Sequence, residues 1–383
     1  MPTFLDYAKI YGEKSFSELT LNSIDLAIIN ELGYLPLGQD QSLERPVSLQ
    51  KLKEDFDASG QSVLYSFSVT KERVALLETV LDAPRYQGLS VRAYINDIDP
   101  QFEKQFAAMV MGLPAIHHHQ VVFRGTDETF IGWKEDFKMT YLDEIPAQRQ
   151  ALDYLQKILQ ENEETYTLTG HSKGGNLALY AASCLPEHLQ ARIDHLLLLD
   201  APGLHDHILE SPGYKTISPK VLCLRPKDSI VGSMLKHDIP SSFVESKALG
   251  TFQHNVSKWE VEGVDWKWAS GQSELSRAME VTFSQWTEEL SQEELKTIFD
   301  TVFDLFLEND VATLDVLQAD VLQSARTIMT AFSQLPAEKR QLLGKSATSL
   351  LSIFIKSRLQ EVEVPKLDQL SDKLKGILGP GMK

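Results

Sequence analysis

Two cysteines in 383 residues leave no room for a disulfide framework. Cys184 falls in a helical pattern and Cys223 in the apolar run KVLCL, so both are expected as buried thiols of a reducing compartment. Positive charge is also scarce. The chain carries 37 Lys and Arg against 54 Asp and Glu, a formal net charge of −17. That sign argues against a nucleic-acid backbone or an anionic membrane surface as the main partner, because both need a basic footprint. No stretch approaches the roughly 18 uninterrupted apolar residues that a membrane span requires. The first residues, MPTFLDYAKIYGEKSF, hold acids and no apolar core of signal-peptide length, and a cytoplasmic protein is the expectation. Internal repeats and low-complexity segments are lacking too.

What is present is a chain long enough for one large domain and a smaller one. From about residue 60 to 265, strand-like runs alternate with helical patterns. The runs are SVLYSFSV, LSVRAYI, HQVVFRG, TYTLTG, HLLLLD and KVLCLR; AQRQALDYLQKILQEN and GNLALYAASCLPEHLQAR lie between the later ones. Such alternation predicts a mainly parallel sheet with helices on both faces. HLLLLD lacks period-two alternation, as a strand buried on both sides should. Beyond about residue 270 the strand signal stops. Ser291 and Glu294 form a capping-box pattern, further helices are expected across 311–334 and from Pro336 to about 362, and the tail reads as a helical bundle. The expected division is an α/β domain over 1–270, with a helical extension over 1–57, and an all-helical domain over 271–383.

TYTLTGHSKGGNLALYAA, residues 165–182, places Ser172 between glycines where a strand gives way to a helix. Gly170-His171-Ser172-Lys173-Gly174 matches G-x-S-x-G. That spacing suits a nucleophile held at unfavourable φ/ψ on a turn too sharp for bulky neighbours. The helix start and the amide of Lys173 would then face a developing oxyanion. The competing interpretation is an ordinary strand–helix turn with Ser172 as a helix cap. Upstream, the strand ending in Arg124-Gly125-Thr126 reaches the sheet edge where α/β proteins place ligands, and Thr126 would supply the second oxyanion donor.

VVFRGT followed by Trp133 and Asp136, with TGHSKGGNLA some forty residues on, resembles the class 3 lipase family of α/β-hydrolases. FRGTDETFIGWKEDFKMTYLDEIPAQ, SIVGSML and QHNVSKWEVEG are most similar to a group of uncharacterised bacterial lipase-like proteins. The resemblance covers about residues 1–265 and implies a serine esterase or lipase with no cofactor and no metal, acting on a small-molecule ester or lipid-like substrate. It also implies a triad in the chain order serine, acid, histidine. Six histidines follow Ser172: His188, His195, His205, His207, His237 and His254. His254 matches the family's Gln-His position and is the expected base, whereas His237 is expected in a solvated loop. For the acid, Asp228 lies in an Asp-x-Val segment like that of the class 3 lipases. Asp200, ending HLLLLD one strand earlier, is the alternative.

The chain departs from those lipases at Lys173, where a leucine is usual. A cation beside the nucleophile would favour a polar or anionic acyl group; a lysine paired with a nearby acid would not. Arg124 is expected to pair with Asp136 or Asp127 and tie down the oxyanion loop. Phe130, Trp133, Phe137 and Tyr141 would either pack on the sheet or belong to a lid over 127–146. His117, His118 and His119 adjoin one another on a strand and point to alternate faces, so they cannot converge on one ion. Two other function classes stay open: an idle scaffold that binds a protein partner or a second copy through its helical tail, and an acyltransferase or thioesterase using the same triad.

Overall fold

The computed structural model describes residues 1–36, 43–66, 68–127, 129–309, 313 and 321–361. Its centre is an eight-stranded sheet whose spatial order follows the chain: β1 (Val47–Ser48), β2 (Ser90–Asp99), β3 (Lys104–Leu113), β4 (His118–Phe123), β5 (Tyr166–His171), β6 (Ile193–Leu199), β7 (Val221–Pro226) and β8 (Ser241–Val244). The first four strands pair antiparallel. Short turns suffice for that, as where Asp99 accepts from the amides of Gln101 and Phe102 between β2 and β3. From β4 to β8 every pair is parallel. Parallel neighbours need a crossover, and helices Pro146–Gln160 and Lys173–Cys184 provide the first two.

Both faces of the sheet are covered, and the side chains sort accordingly. Leu196 and Leu198 join Phe106, Val121, Phe123 and Leu168 beneath helices Pro146–Gln160 and Lys173–Cys184. Leu197 and Leu199 point the other way, onto Met109, Met111 and Val122 beneath N-terminal helices Ser23–Leu32 and Lys71–Asp82. This two-sided burial accounts for the unbroken leucine run of β6. The same burial hides β3: KQFAAMVMGL has no polar face to alternate, and sequence patterning assigns no strand there. The opposite error occurs at SVLYSFSV. Residues 62–66 form no strand; Ser66 closes a turn with Val69, and Leu64 is 81 % exposed. Together the layers form an α/β-hydrolase fold followed by a C-terminal helical region.

That region contains helices Glu274–Glu288, Gln292–Leu307, Val321–Gln334 and Ala337–Glu361. The Ser291 capping box forms as its pattern predicts. Of the helix expected over 311–334, positions 311, 312 and 314–320 lie outside the described residues, as do 362–383 of the expected C-terminal domain. The tail is not free-standing. Phe130 stacks on Phe306 and Phe137 on Phe299, each at 4.7 Å between ring centres. Phe130, Tyr141, Trp286, Phe303 and Ile353 complete this third core. The aromatics of 130–141 therefore serve as the tail's docking face. Phe299→Ala should lower unfolding free energy by about 3 kcal/mol, the low end for a buried aromatic truncation, as measured by urea unfolding followed through tryptophan fluorescence.

Candidate active site

The turn after β5 must reverse the chain within a single residue. Ser172 does so at φ 59° and ψ −135°, a left-handed backbone that non-glycine residues rarely adopt. Its side chain caps nothing in the helix that follows, which removes the helix-cap interpretation. The glycines are required by contact. A Cβ at Gly170 would lie 2.2 Å from the carbonyl carbon of Gly174, and one at Gly174 would lie 2.1 Å from the oxygen of Phe123. The Ser172 amide donates to the Leu199 carbonyl at 3.0 Å, so the serine is anchored beside the end of β6.

Asp200 is the next residue after β6, wholly buried and itself at φ 45°. Its Oδ1 accepts from the Ser229 hydroxyl and, at 3.2 Å, from the Gly232 amide. Its Oδ2 lies 2.7 Å from His254 Nδ1. A carboxylate only accepts, so Nδ1 carries the proton and Nε2 is the basic nitrogen. His254 ends the short turn Gly250–His254, and its ring lies 4.5 Å from that of His171, the serine's neighbour. Ser172 Oγ and His254 Nε2 make no hydrogen bond among the described residues, as is common for a nucleophile and base without substrate.

Asp228 is placed differently from the expectation. Among the described residues it makes no hydrogen bond or ion pair with His254. Its Oδ2 accepts from Gln253 Nε2 at 2.6 Å, and its own amide donates back to Gln253 Oε1 at 3.1 Å. Gln253 also supplies the carbonyl that accepts from the Trp259 indole at 2.8 Å. Asp228 thus anchors the turn bearing His254, while the alternative acid, Asp200, holds the ring. The reason is topological: β6 directly neighbours the serine's strand, and β7 is one strand further out. His237 also differs. Its ring nitrogen Nε2 is buried rather than solvated, and burial, with Arg225 nearby, pushes its pKa down to about 4.

The two expected oxyanion donors, the amides of Thr126 and Lys173, donate to no group among the described residues. Their side chains are engaged elsewhere. Lys173 is inside the protein, with Nζ 3.0 Å from both Glu135 Oε2 and the Gln105 carbonyl and 3.4 Å from Asp136 Oδ1. Burial opposes its charge, but Glu135 and Asp136 outweigh that and hold its pKa above the ordinary lysine value. Glu135 also accepts from the amides of Gln105 and Ala147. The Thr126 hydroxyl donates to Asp136 at 2.6 Å. The lysine charge is therefore neutralised within the protein and not offered to a substrate. Arg124 does not pair with Asp136; it donates to Asn96 at 2.7 Å and lies 4.0 Å from Asp127.

Residues 80–304, more than half of the chain, match the Mbeg1-like family. The chain belongs to the Mbeg1-like family. Among solved structures, the M37 lipase is similar at 12 % identity and a TM-score of 0.34, over 54 % of this chain and 67 % of its own. Lip2 lipase from Yarrowia lipolytica is similar at 12 % identity and a TM-score of 0.31, over 62 % and 84 %. No curated protein of similar sequence was found. Among the described residues, no helix is long and apolar enough to cross a membrane and no cluster of three or more His, Cys, Asp or Glu could hold a metal ion.

The sequence pattern gives no role to Tyr34 or Glu135, which reach the site from distant segments, nor to His171 and Gln253, the chain neighbours of Ser172 and His254. Asp136 supplies a test of the Lys173 cluster. Burial, outweighing Lys173 and the Thr126 hydrogen bond, pushes its pKa up to about 6. A carboxyl raised in the folded state binds protons that the unfolded chain has already lost, so stability through this group falls as pH rises from about 4 to about 6. Asp136→Asn should flatten that part of the profile, as read from urea unfolding at pH 4, 5, 6 and 7.

Proposed function

We propose that this protein is a serine hydrolase of carboxylic esters acting through Ser172, His254 and Asp200. The observation that carries the proposal is the 2.7 Å bond from His254 Nδ1 to a fully buried carboxylate, beside a serine held at positive φ that caps no helix. In this reading Ser172 Oγ attacks the acyl carbonyl as its proton passes to His254 Nε2. Asp200 keeps the ring in the required tautomer and stabilises the imidazolium without taking the proton. The carbonyl oxygen becomes an oxyanion at the amides of Thr126 and Lys173, each such donor being worth about 10²–10³ in turnover. His254 returns the proton to the departing alcohol, and water then cleaves the acyl-enzyme by the same route.

An apolar acyl group fits the surroundings. Leu249, just before the turn that bears His254, and Phe252, within it, are 81 % and 78 % exposed, two apolar side chains within five residues of the base. The buried, neutralised Lys173 gives no reason for an anionic acyl group. A second reading is an idle scaffold that binds a partner through its tail. It is favoured by the exposure of Met329, Leu351 and Ile355 on the last two helices.

A fluorophosphonate probe separates the two. Ser172 should react covalently and Ser172→Ala should abolish the signal; a folded protein that takes no label is a scaffold. On p-nitrophenyl esters, Asp200→Asn should lower kcat by about 10⁴, as loss of the tautomer-fixing carboxylate does. Asp228→Asn should cost no more than about tenfold, because it loosens only the turn. The reverse order would make Asp228 the acid.

A further inference from the structure

We infer that Tyr34 and His171 are positioning residues that lock the oxyanion loop to the backbone of the base-bearing turn. The inference rests on the triad reading above and extends it to a segment outside residues 80–304. Four groups form a continuous chain. The Gly125 amide lies 3.0 Å from Tyr34 Oη, Tyr34 Oη lies 3.1 Å from His171 Nδ1, and His171 Nε2 lies 2.8 Å from the His254 carbonyl oxygen.

Chemistry fixes the direction of every bond. A carbonyl only accepts, so His171 Nε2 carries a proton. Burial, reinforced by His254 and Arg73, holds the His171 pKa well below its usual range, so the ring is neutral and Nδ1 is an acceptor. Tyr34 must then donate to Nδ1, and burial keeps its hydroxyl protonated to do so. Its oxygen is left to accept from Gly125. No member of the chain has an alternative orientation that satisfies the rest, and such a network rigidifies what it joins.

Tyr34 is itself fixed from behind. It follows helix Ser23–Leu32, and the Arg73 guanidinium lies 3.7 Å from its ring centre, held there by Glu31 at 2.8 Å. The oxyanion loop passes through a narrow gap: a Cβ on Gly125 would lie 2.6 Å from Tyr34 Oη and 3.0 Å from the Ser172 Cβ. Gly125 immediately precedes Thr126, and His254 is the base, so both ends of the chain finish at the reacting groups. The hydroxyl has a second consequence. His171 Nδ1 is 3.9 Å from Glu31, a carboxylate that would favour a charged ring. A cation there, 4.5 Å from His254, would oppose the imidazolium that forms during acylation.

Tyr34→Phe keeps the ring under Arg73 and removes only the hydroxyl. Imidazole ¹⁵N and ¹H resonances of the full-length protein read the lock without turnover. The downfield Nδ1 proton of His254 should broaden or move in Tyr34→Phe, and His171 should gain a second tautomer or a charged form. On p-nitrophenyl esters, kcat should fall about 10–100-fold with KM held within about twofold, the signature of misplaced reacting groups. His171→Gln, which can still donate toward the His254 carbonyl, should retain more of kcat than His171→Leu; this pair supplies the comparison if Tyr34→Phe does not fold. Unchanged imidazole resonances, or equal kcat in the Gln and Leu variants, would overturn the lock. A wild-type protein that takes no fluorophosphonate label would overturn the esterase reading alone, since the resonances still decide the lock.

Discussion

Backbone pressed against backbone at the end of β5 is the contact on which the rest of the site depends. Gly170, Gly174 and Gly175 bring helix Lys173–Cys184 so near the sheet that a Cβ on Gly174 would strike the Phe123 carbonyl of β4, one on Gly175 would strike Ala201, and one on Gly170 would strike the Gly174 backbone. This closeness forces the left-handed turn at Ser172, because no gentler path lets the chain reverse there. Ser172 and Lys173 are both buried at this junction, and among the described residues the Lys173 amide donates to no group.

Burial then assigns distinct roles to groups of the same chemical type. Asp200 is sealed from water and satisfied by three donors, so it can hold an imidazole at fixed distance. Asp228, one strand further out, faces an amide side chain and serves the turn. Glu135 and Asp136 sit side by side on one helix, yet Glu135 receives two backbone amides as well as Lys173. Asp136 receives the Thr126 hydroxyl and lies 3.4 Å from Lys173, and burial, which opposes its charge, raises its pKa. Removing a charge from such an interior leaves its partner uncompensated, and that cost exceeds what the pair itself contributes.

How much of this the sequence discloses depends on the range of each interaction. The nucleophile turn is local: two glycines, a serine and small residues within six positions record it, and Ser172 is legible from them. His254 and the fold class follow from motif combinations and from strand–helix alternation. The carboxylate that meets His254 is not local. Asp200 and Asp228 each end a buried strand, each precedes a turn, and each precedes His254; only the lateral order of strands separates them, and that order is written nowhere in the periodicity. β3 is lost for a related reason, since a strand covered on both faces erases its own alternation. Tyr34 is less legible still. A tyrosine after a helix could be any core residue until the chain has brought it next to Gly125 and His171, 91 and 137 positions away.

Helix Phe130–Lys138 joins these observations mechanically. Its aromatic face, Phe130 and Phe137, is held by the tail helix Gln292–Leu307, which also ties down Lys134 through Asp304 at 2.8 Å. Its acidic face, Glu135 and Asp136, holds Lys173 and the Thr126 hydroxyl. A rotation of this helix that kept one face satisfied would break the other, because packed interfaces offer discrete arrangements rather than continuous ones. The tail and the Thr126 loop are therefore linked through one helix of nine residues, about two and a half turns. N-terminal residues brace the same loop from the opposite side through Tyr34. Segments at both ends of the chain thus converge on the loop of residues 124–126 and fix where it stands beside Ser172 and His254.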